Sequence, residues 1–342
     1  MFDSGKVLEI AMRHRDTLQR LRLVQNALEE RFECLDDAIL ALILSVTSGE
    51  PLLLIGPPGT AKSKLIRTFC ALVGVNRTQP DHRYFEYLLT PFTEPGELFG
   101  FYDPSKLTRD GRLERINEQS MMQNAEIVFL DEVFKGSSAI LNSLLSFMNE
   151  RVFYDRGQPN PVPLQCLFGA TNDLPDSPEL YAIWDRFALR CRVDNVAATS
   201  TTIERMLEKA WPLTYGAEID TPPAPGLLHG LRALRADIAT VVRVAPSTSV
   251  LPVLAQLVQL ARTHGLSQLS NRRLVKLTYV MLIHRLYDVA LGGEPYVNGN
   301  SIRQQELNLL PKYFLDDDTR EDAVNQLYTA IEDWYHHPLE LT

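Results

Sequence analysis

The stretch from Pro51 to Ser63 limits what this chain can fold into more than any other. Leu52-Leu53-Leu54-Ile55 is a short apolar run without polar alternation, as suits a strand buried on both faces of a parallel sheet. Gly56-Pro57-Pro58-Gly59-Thr60-Ala61 then turns the chain, and from Lys62 to Val73 apolar residues return at helical spacing. A tight loop between a strand and a helix aims backbone N–H groups and the positive end of the helix dipole at one point, which makes a phosphate cradle. Gly56 and Gly59 permit the backbone path, Pro57, Pro58, Thr60 and Ala61 complete it, and Leu65 is counted with the loop as a nucleotide-contacting position. Lys62 can reach the β- and γ-phosphates of a nucleotide, and the Ser63 hydroxyl can ligate Mg²⁺. The usual pattern has glycine directly before the lysine. Ala61 fits there only if its φ is one that an L-residue tolerates.

The other elements extend this pattern. Helical segments are expected over Thr17–Glu30 and Leu35–Thr47, and strands over His82–Leu88, Ile127–Leu130, Leu164–Ala170 and Ala188–Val193. Ser137–Met148 is an amphipathic helix, and the Gly- and Pro-rich Arg151–Pro163 reads as a projecting hairpin or loop. Strands alternating with helices imply an α/β fold with a parallel sheet flanked by helices. Thr221-Pro222-Pro223-Ala224-Pro225-Gly226 is the clearest linker, and beyond it Leu227–Val241, Val250–His264, Arg272–Leu291 and Thr319–Tyr335 are helical. The expected organisation is an α/β nucleotide-binding domain over 1–220, a smaller all-α lid over 221–293, and a helical tail over 294–342.

Two further clusters carry chemistry. Asp131 and Glu132 end the strand at Ile127–Leu130: a carboxylate there can hold Mg²⁺, and its neighbour can polarise an attacking water. Asn172 ends the strand at Leu164–Ala170, where an amide can orient that water or sense a γ-phosphate.

The order of phosphate loop, acidic strand end, strand-ending asparagine and arginine resembles that of AAA+ ATPases. The wording is similar to the MoxR branch, and within it to the RavA-like group. It is carried by Gly56–Ser63, Glu97-Leu98-Phe99-Gly100, Leu144–Arg151, Ala170–Leu174 and Trp184–Arg190, and extends over residues 15 to 290. The resemblance implies ATP and Mg²⁺ as ligands and ATP hydrolysis as the activity. It implies Asn172 as the sensor-one residue and Arg186 as an arginine finger acting on a neighbouring subunit, with Arg190 the competitor. It implies Arg272 as sensor two, with Arg273 the competitor. A finger in trans requires a homo-oligomer, in this family a hexameric ring. Such rings remodel client complexes, commonly with a von Willebrand factor A domain protein as adaptor. The segment Glu94–Arg115 resembles the family's helix-two insertion and, with the hairpin, is expected to face the pore.

Composition bears on the alternatives. With a net charge of −9 and a pI of about 5.4 the surface repels phosphate backbones, so nucleic-acid binding is disfavoured. An AAA+ nucleic-acid motor is the alternative function, and the basic stretch Arg13–Arg22 is expected to be one solvated helix face. Asp316-Asp317-Asp318 reads as a solvated loop. Cys34, Cys70, Cys166 and Cys191 have no metal-finger spacing and read as reduced packing residues of a cytoplasmic protein, and His336-His337 as a solvated end. No run approaches the roughly 18 apolar residues that span a membrane.

Overall fold

A computed structural model describes residues 4–75, 83–116, 118–175, 177–216, 224–241, 251–293 and 302–336. The chain opens with α1 (Ser4–Arg13), α2 (Arg15–Glu29) and α3 (Asp36–Ser48), followed by β1 (Leu52–Ile55) and α4 (Lys62–Leu72). Next come β2 (Tyr84–Leu88), the short α5 (Pro95–Phe99) and α6 (Pro104–Asp110), and β3 (Ile127–Asp131). Helix α7 (Ser138–Glu150) runs into the hairpin β4 (Val152–Asp155) and β5 (Gln158–Pro161), and β6 (Cys166–Thr171), α8 (Pro178–Trp184) and β7 (Leu189–Arg192) complete the α/β part. The rest is helical: α9 (Ser200–Tyr215), α10 (Leu227–Val241), α11 (Leu251–Thr263), α12 (Asn271–Ala290), α13 (Gln304–Leu307), α14 (Leu309–Tyr313) and α15 (Glu321–His336).

Five parallel strands form the sheet in the order β2-β3-β6-β1-β7. All four residues of β1 and all six of β6 are buried, as suits the apolar run of β1 and the largely apolar β6. Side chains alternate between two cores. Leu52, Leu54, Phe129 and Phe168 face a core shared with α1 to α4 and the C-terminal helices, while Leu53, Ile55, Val128 and Leu130 face α5, α7 and α8. The C-terminal helices thus bury their apolar faces in the same cluster as the N-terminal ones. The 220/221 boundary expected from the sequence, with Thr221-Pro222-Pro223 of the linker, lies outside the described residues, as do Val250, Asn298-Gly299-Asn300 and His337.

Several expectations change. Helix α1 carried no recognised signal, and α8 and α9 sit where no helix was expected. The chain breaks at His14, so Arg13–Arg22 is not one helix face. Arg13 pairs with Glu9 and Asp237, and Arg20 with Asp16. Cys70, Cys166 and Cys191 are buried, but Cys34 is exposed, because its left-handed turn conformation (φ 58°) points it away from the core. Among the described residues no helix is long and apolar enough to cross a membrane.

Candidate active site

Strand order builds the site. The chain leaves β1, β6 and β3 at the same edge of the sheet, and neighbouring strands lie about 4.8 Å apart. The phosphate loop therefore sits beside Asn172, and Asn172 beside Asp131 and Glu132. Gly56 threads between the flanking strands: its N–H donates to the Thr171 carbonyl at 3.1 Å, while the Val193 N–H donates to the Ile55 carbonyl at 2.7 Å. A Cβ on Gly56 would lie 1.9 Å from the Val193 carbonyl oxygen, so only glycine passes. Gly59 has open space around it but a φ of +88°, the left-handed region that glycine enters freely.

Lys62, at the start of α4, is buried along its length. Its ammonium donates to the Gly56 carbonyl at 2.6 Å, the Pro57 carbonyl at 2.8 Å and Asn172 Oδ1 at 3.2 Å. Burial pulls its pKa below the ordinary lysine value, against the attraction of Asp131 and Glu132. Asn172 turns its other end to Glu132, its Nδ2 donating to Oε1. One amide thus joins the lysine of the loop to the carboxylate of the acidic strand end. Beside this row, Ser63 Oγ donates to Asp131 Oδ2 at 2.9 Å. Asp131 Oδ1 accepts the Glu132 N–H at 3.0 Å, and Lys135 approaches Glu132 at 3.3 Å. Glu132 has a φ of +52°, a strained conformation for a non-glycine residue that aims its carboxylate back along the sheet edge. Two hard oxygen donors, Ser63 Oγ and Asp131 Oδ2, stand together as a Mg²⁺ ion needs, so the residues fit that metal.

Pro57, Pro58 and Gly59 are exposed at the loop surface, and Thr60 hydrogen-bonds back to the Pro57 carbonyl at 3.0 Å. Leu65 lies in the core, and its N–H is committed to the Ala61 carbonyl at 2.8 Å. Ala61 takes φ 66° and ψ 15°, the left-handed conformation that the usual glycine would supply.

Arg186 and Arg272 form a second group, which among the described residues makes no hydrogen bond or ion pair with the first. Both approach Asp185, at 3.8 Å and 3.4 Å, and Ser270 at the head of α12 donates to the same carboxylate at 2.8 Å. Burial lowers the Arg186 pKa, and the charge of Arg272 adds to that. Phe187 is fully buried against Gly169, where a Cβ would come within 2.7 Å of the ring. That plug anchors the segment carrying Asp185 and Arg186. The two competitors are engaged elsewhere. Arg190 is buried over the Trp184 ring at 4.0 Å, and Arg273 is buried beside Phe314.

Both buried guanidiniums converge on Asp316, which by sequence reads as part of a solvated loop. Asp316 accepts from Arg190, from Arg273 at 3.0 Å, from Trp184 Nε1 at 2.9 Å, from Ser267 and from the Gln268 N–H at 3.1 Å. Asp318 takes a two-donor contact from Arg192 at 2.8 Å and 2.6 Å, and Asp317 caps Thr319 at 3.0 Å. The acidic triplet is a clasp that fastens the chain after α14 to β7, α8 and the head of α12. A run of aspartates gives no hint of this, because the partners of Asp316 and Asp318 lie more than forty residues away in sequence. Burial alone would raise the Asp316 pKa, but the two guanidiniums and Ser267 hold it at about 2. Burial, with the charge of Arg273, draws Arg190 down to about 9.

Residues 19–224 match the family profile described as the MoxR domain in MoxR-vWA-beta-propeller ternary systems. Two relatives are the uncharacterized proteins MJ0079 and MJ0812 of Methanocaldococcus jannaschii. They are 36% and 42% identical over 55% and 47% of this chain. The chain spans 48% and 40% of their lengths. A crystal structure of a candidate ATPase from Cytophaga hutchinsonii superposes with a TM-score of 0.64 over 95% of this chain and 96% of that one. Its 15% identity bears on the fold alone.

Two outcomes are expected. Ala61→Gly should stabilise the protein by about 1 kcal/mol by removing a left-handed alanine. A thermal midpoint that stays level or falls would show that the loop carries no such strain. The Asp316 carboxylate has a folded-state pKa below its unfolded value, so its stabilisation is complete above pH about 4 and disappears as pH falls towards about 2. Asp316→Asn should therefore cost about 2–3 kcal/mol at neutral pH and flatten the urea midpoint between pH 5 and pH 3. Equal acid sensitivity in variant and parent would remove Asp316 from the account.

Proposed function

We propose that this chain, which belongs to the MoxR family of AAA+ ATPases, binds and hydrolyses ATP within a ring of copies and uses the cycle to remodel client protein complexes. One observation carries the proposal: the row Lys62–Asn172–Glu132, with Ser63–Asp131 beside it, at the ends of three neighbouring parallel strands. In this reading the loop N–H groups and Lys62 grip the β- and γ-phosphates. Ser63 and Asp131 would hold Mg²⁺, which neutralises charge on the phosphate oxygens when bound. Glu132 accepts the proton of the attacking water, and Asn172 fixes the Glu132 carboxylate while its oxygen restrains Lys62. The pairing of Asn172 with both groups supports its sensor role, since movement of either is transmitted through one amide.

Arg186 acts on the neighbouring subunit's nucleotide, where a guanidinium counters charge growing on the γ-phosphate. Its partial exposure, its weak 3.8 Å approach to Asp185 and its single hydrogen bond to the Ala182 carbonyl at 3.2 Å hold it less firmly than Arg190, which is committed to Asp316 and Trp184. Arg272 is the sensor-two residue on the same argument, because Arg273 is sequestered. Residues 221–293 act as the lid that carries Arg272. The motif wording supports a kinship with the RavA-like group. Exposed apolar residues on the insertion and the hairpin, among them Phe101, Leu107, Leu113 and Tyr154, supply a surface for gripping clients. The matched family's description, which names MoxR-vWA-beta-propeller systems, supports a von Willebrand factor A domain protein as partner; its role as adaptor and a cytoplasmic location belong to the same proposal.

Arg186→Ala should keep nucleotide affinity within a few-fold while turnover falls by about 10³ or more. Mixing it with Lys62→Ala subunits should restore part of the turnover, because each variant supplies what the other lacks. Unchanged turnover in Arg186→Ala, or no recovery on mixing, removes the trans assignment. Glu132→Gln should bind ATP without releasing phosphate and trap partners from native lysate. Recovery of a von Willebrand factor A protein insensitive to nuclease supports the chaperone reading. Nuclease-sensitive recovery of nucleic acid instead supports a motor.

A further inference from the structure

A hollow of about 440 Å³ opens at the opposite edge of the sheet, where β1 and β6 begin. Its walls include Gly49 after α3, Arg151 after α7, Leu164 and Gln165 leading into β6, and Arg232 and Arg235 on α10. The length of β6 separates it from Asn172 and the phosphate loop, so it is no extension of the nucleotide site.

Its charge is unbalanced. Arg151 donates to the Leu164 carbonyl at 2.6 Å and to the Gly49 carbonyl. Arg235 donates to the Val46 carbonyl at 2.8 Å and to Gln165 Oε1 at 2.8 Å. Neither has a carboxylate in contact among the described residues. The nearby Glu50 is taken by Lys276 at 2.8 Å. Arg232, on the rim, reaches Glu126 at 3.0 Å, and that carboxylate is shared with Arg83. Backbone carbonyls at the end of α3 orient Arg151 and Arg235 without cancelling two full charges. Burial lowers the pKa of both, in Arg151 against the attraction of Glu50, and in Arg235 with the charges of Arg151 and Arg232 adding to the effect. Burying guanidiniums without a counter-charge is costly, and an anion in the hollow removes that cost.

We propose that this hollow is a second anion site and that its ligand is a phosphate dianion, either free or as the terminal group of a small metabolite. A phosphate near neutral pH carries about 1.5 to 2 negative charges, which suits two guanidiniums that no carboxylate contacts among the described residues. Planar N–H forks suit its oxygens. The volume falls in the range of small-molecule pockets, with room for more than a bare ion. An occupant would bridge α10 to the root of the hairpin, because Arg151 is the left-handed residue (φ 56°) where α7 turns into β4.

The test uses the full chain carrying Lys62→Ala, so that the nucleotide loop no longer competes, and titrates inorganic phosphate by calorimetry. Saturable binding is expected, weakened about tenfold or more by Arg232→Glu, a rim substitution that leaves the buried contacts in place. Arg235→Gln should abolish it, with circular dichroism checking the fold. Glucose 6-phosphate binding at least about tenfold tighter than inorganic phosphate would identify the ligand as a metabolite, and equal affinity would identify free phosphate. The proposal is overturned if Lys62→Ala shows no saturable binding, if Arg232→Glu binds as before, or if acetate binds as well as phosphate.

Discussion

Everything in this molecule depends on β1 lying between β6 and β7 with no room at its end for anything but hydrogen. The Val193 carbonyl oxygen stands 1.9 Å from where a Gly56 Cβ would be, and the two backbone bonds beside it pin the loop to both neighbours. Because the loop is seated this firmly, the next residues have little freedom, and Ala61 is driven into a left-handed conformation. Lys62 then enters the helix with its ammonium held over the turn. The strain at Ala61 and at Glu132 lies at the two ends of the same row of side chains, as expected where surrounding structure over-determines a functional geometry.

Electrostatics divide the arginines into two kinds. Arg190 and Arg273 are spent on Asp316, inside a clasp that joins β7, α8, α12 and the chain after α14. Arg186 and Arg272 share Asp185 through longer contacts and keep part of their surface in solvent. The buried pair orders the backbone that presents the freer pair. A carboxylate serving two cations is strongly favoured in its charged form, so the clasp is firm at neutral pH. The arginines at the other edge of the sheet, Arg151 and Arg235, have no such carboxylate. That contrast is what distinguishes a structural cluster from a hollow built to receive an anion.

The primary structure by itself determined the parallel sheet, the glycine-bearing loop between β1 and α4, and the acidic and amide strand ends. Each is local: an apolar run, a glycine-bearing turn, a polar residue where a strand stops. Period and turn chemistry are legible over a few residues, and the motifs fell in the order that the family requires. Helices α1, α8 and α9 were missed for the same reason, since their apolar spacing is short or mixed and α9 buries no residue at all. The exposure of Cys34 and the break at His14 depend on single backbone dihedrals.

Only the tertiary structure decided which side chains meet. That Asn172 holds Lys62 with one end and Glu132 with the other follows from strand order, which no local pattern encodes. The sorting of Arg186 from Arg190 and of Arg272 from Arg273 is a matter of burial, and nearby residues of one type look alike in sequence. Asp316 reads as surface acid until the fold brings two guanidiniums from distant segments against it. Long-range pairing sets charge compensation, and charge compensation separates a structural arginine from one free to act.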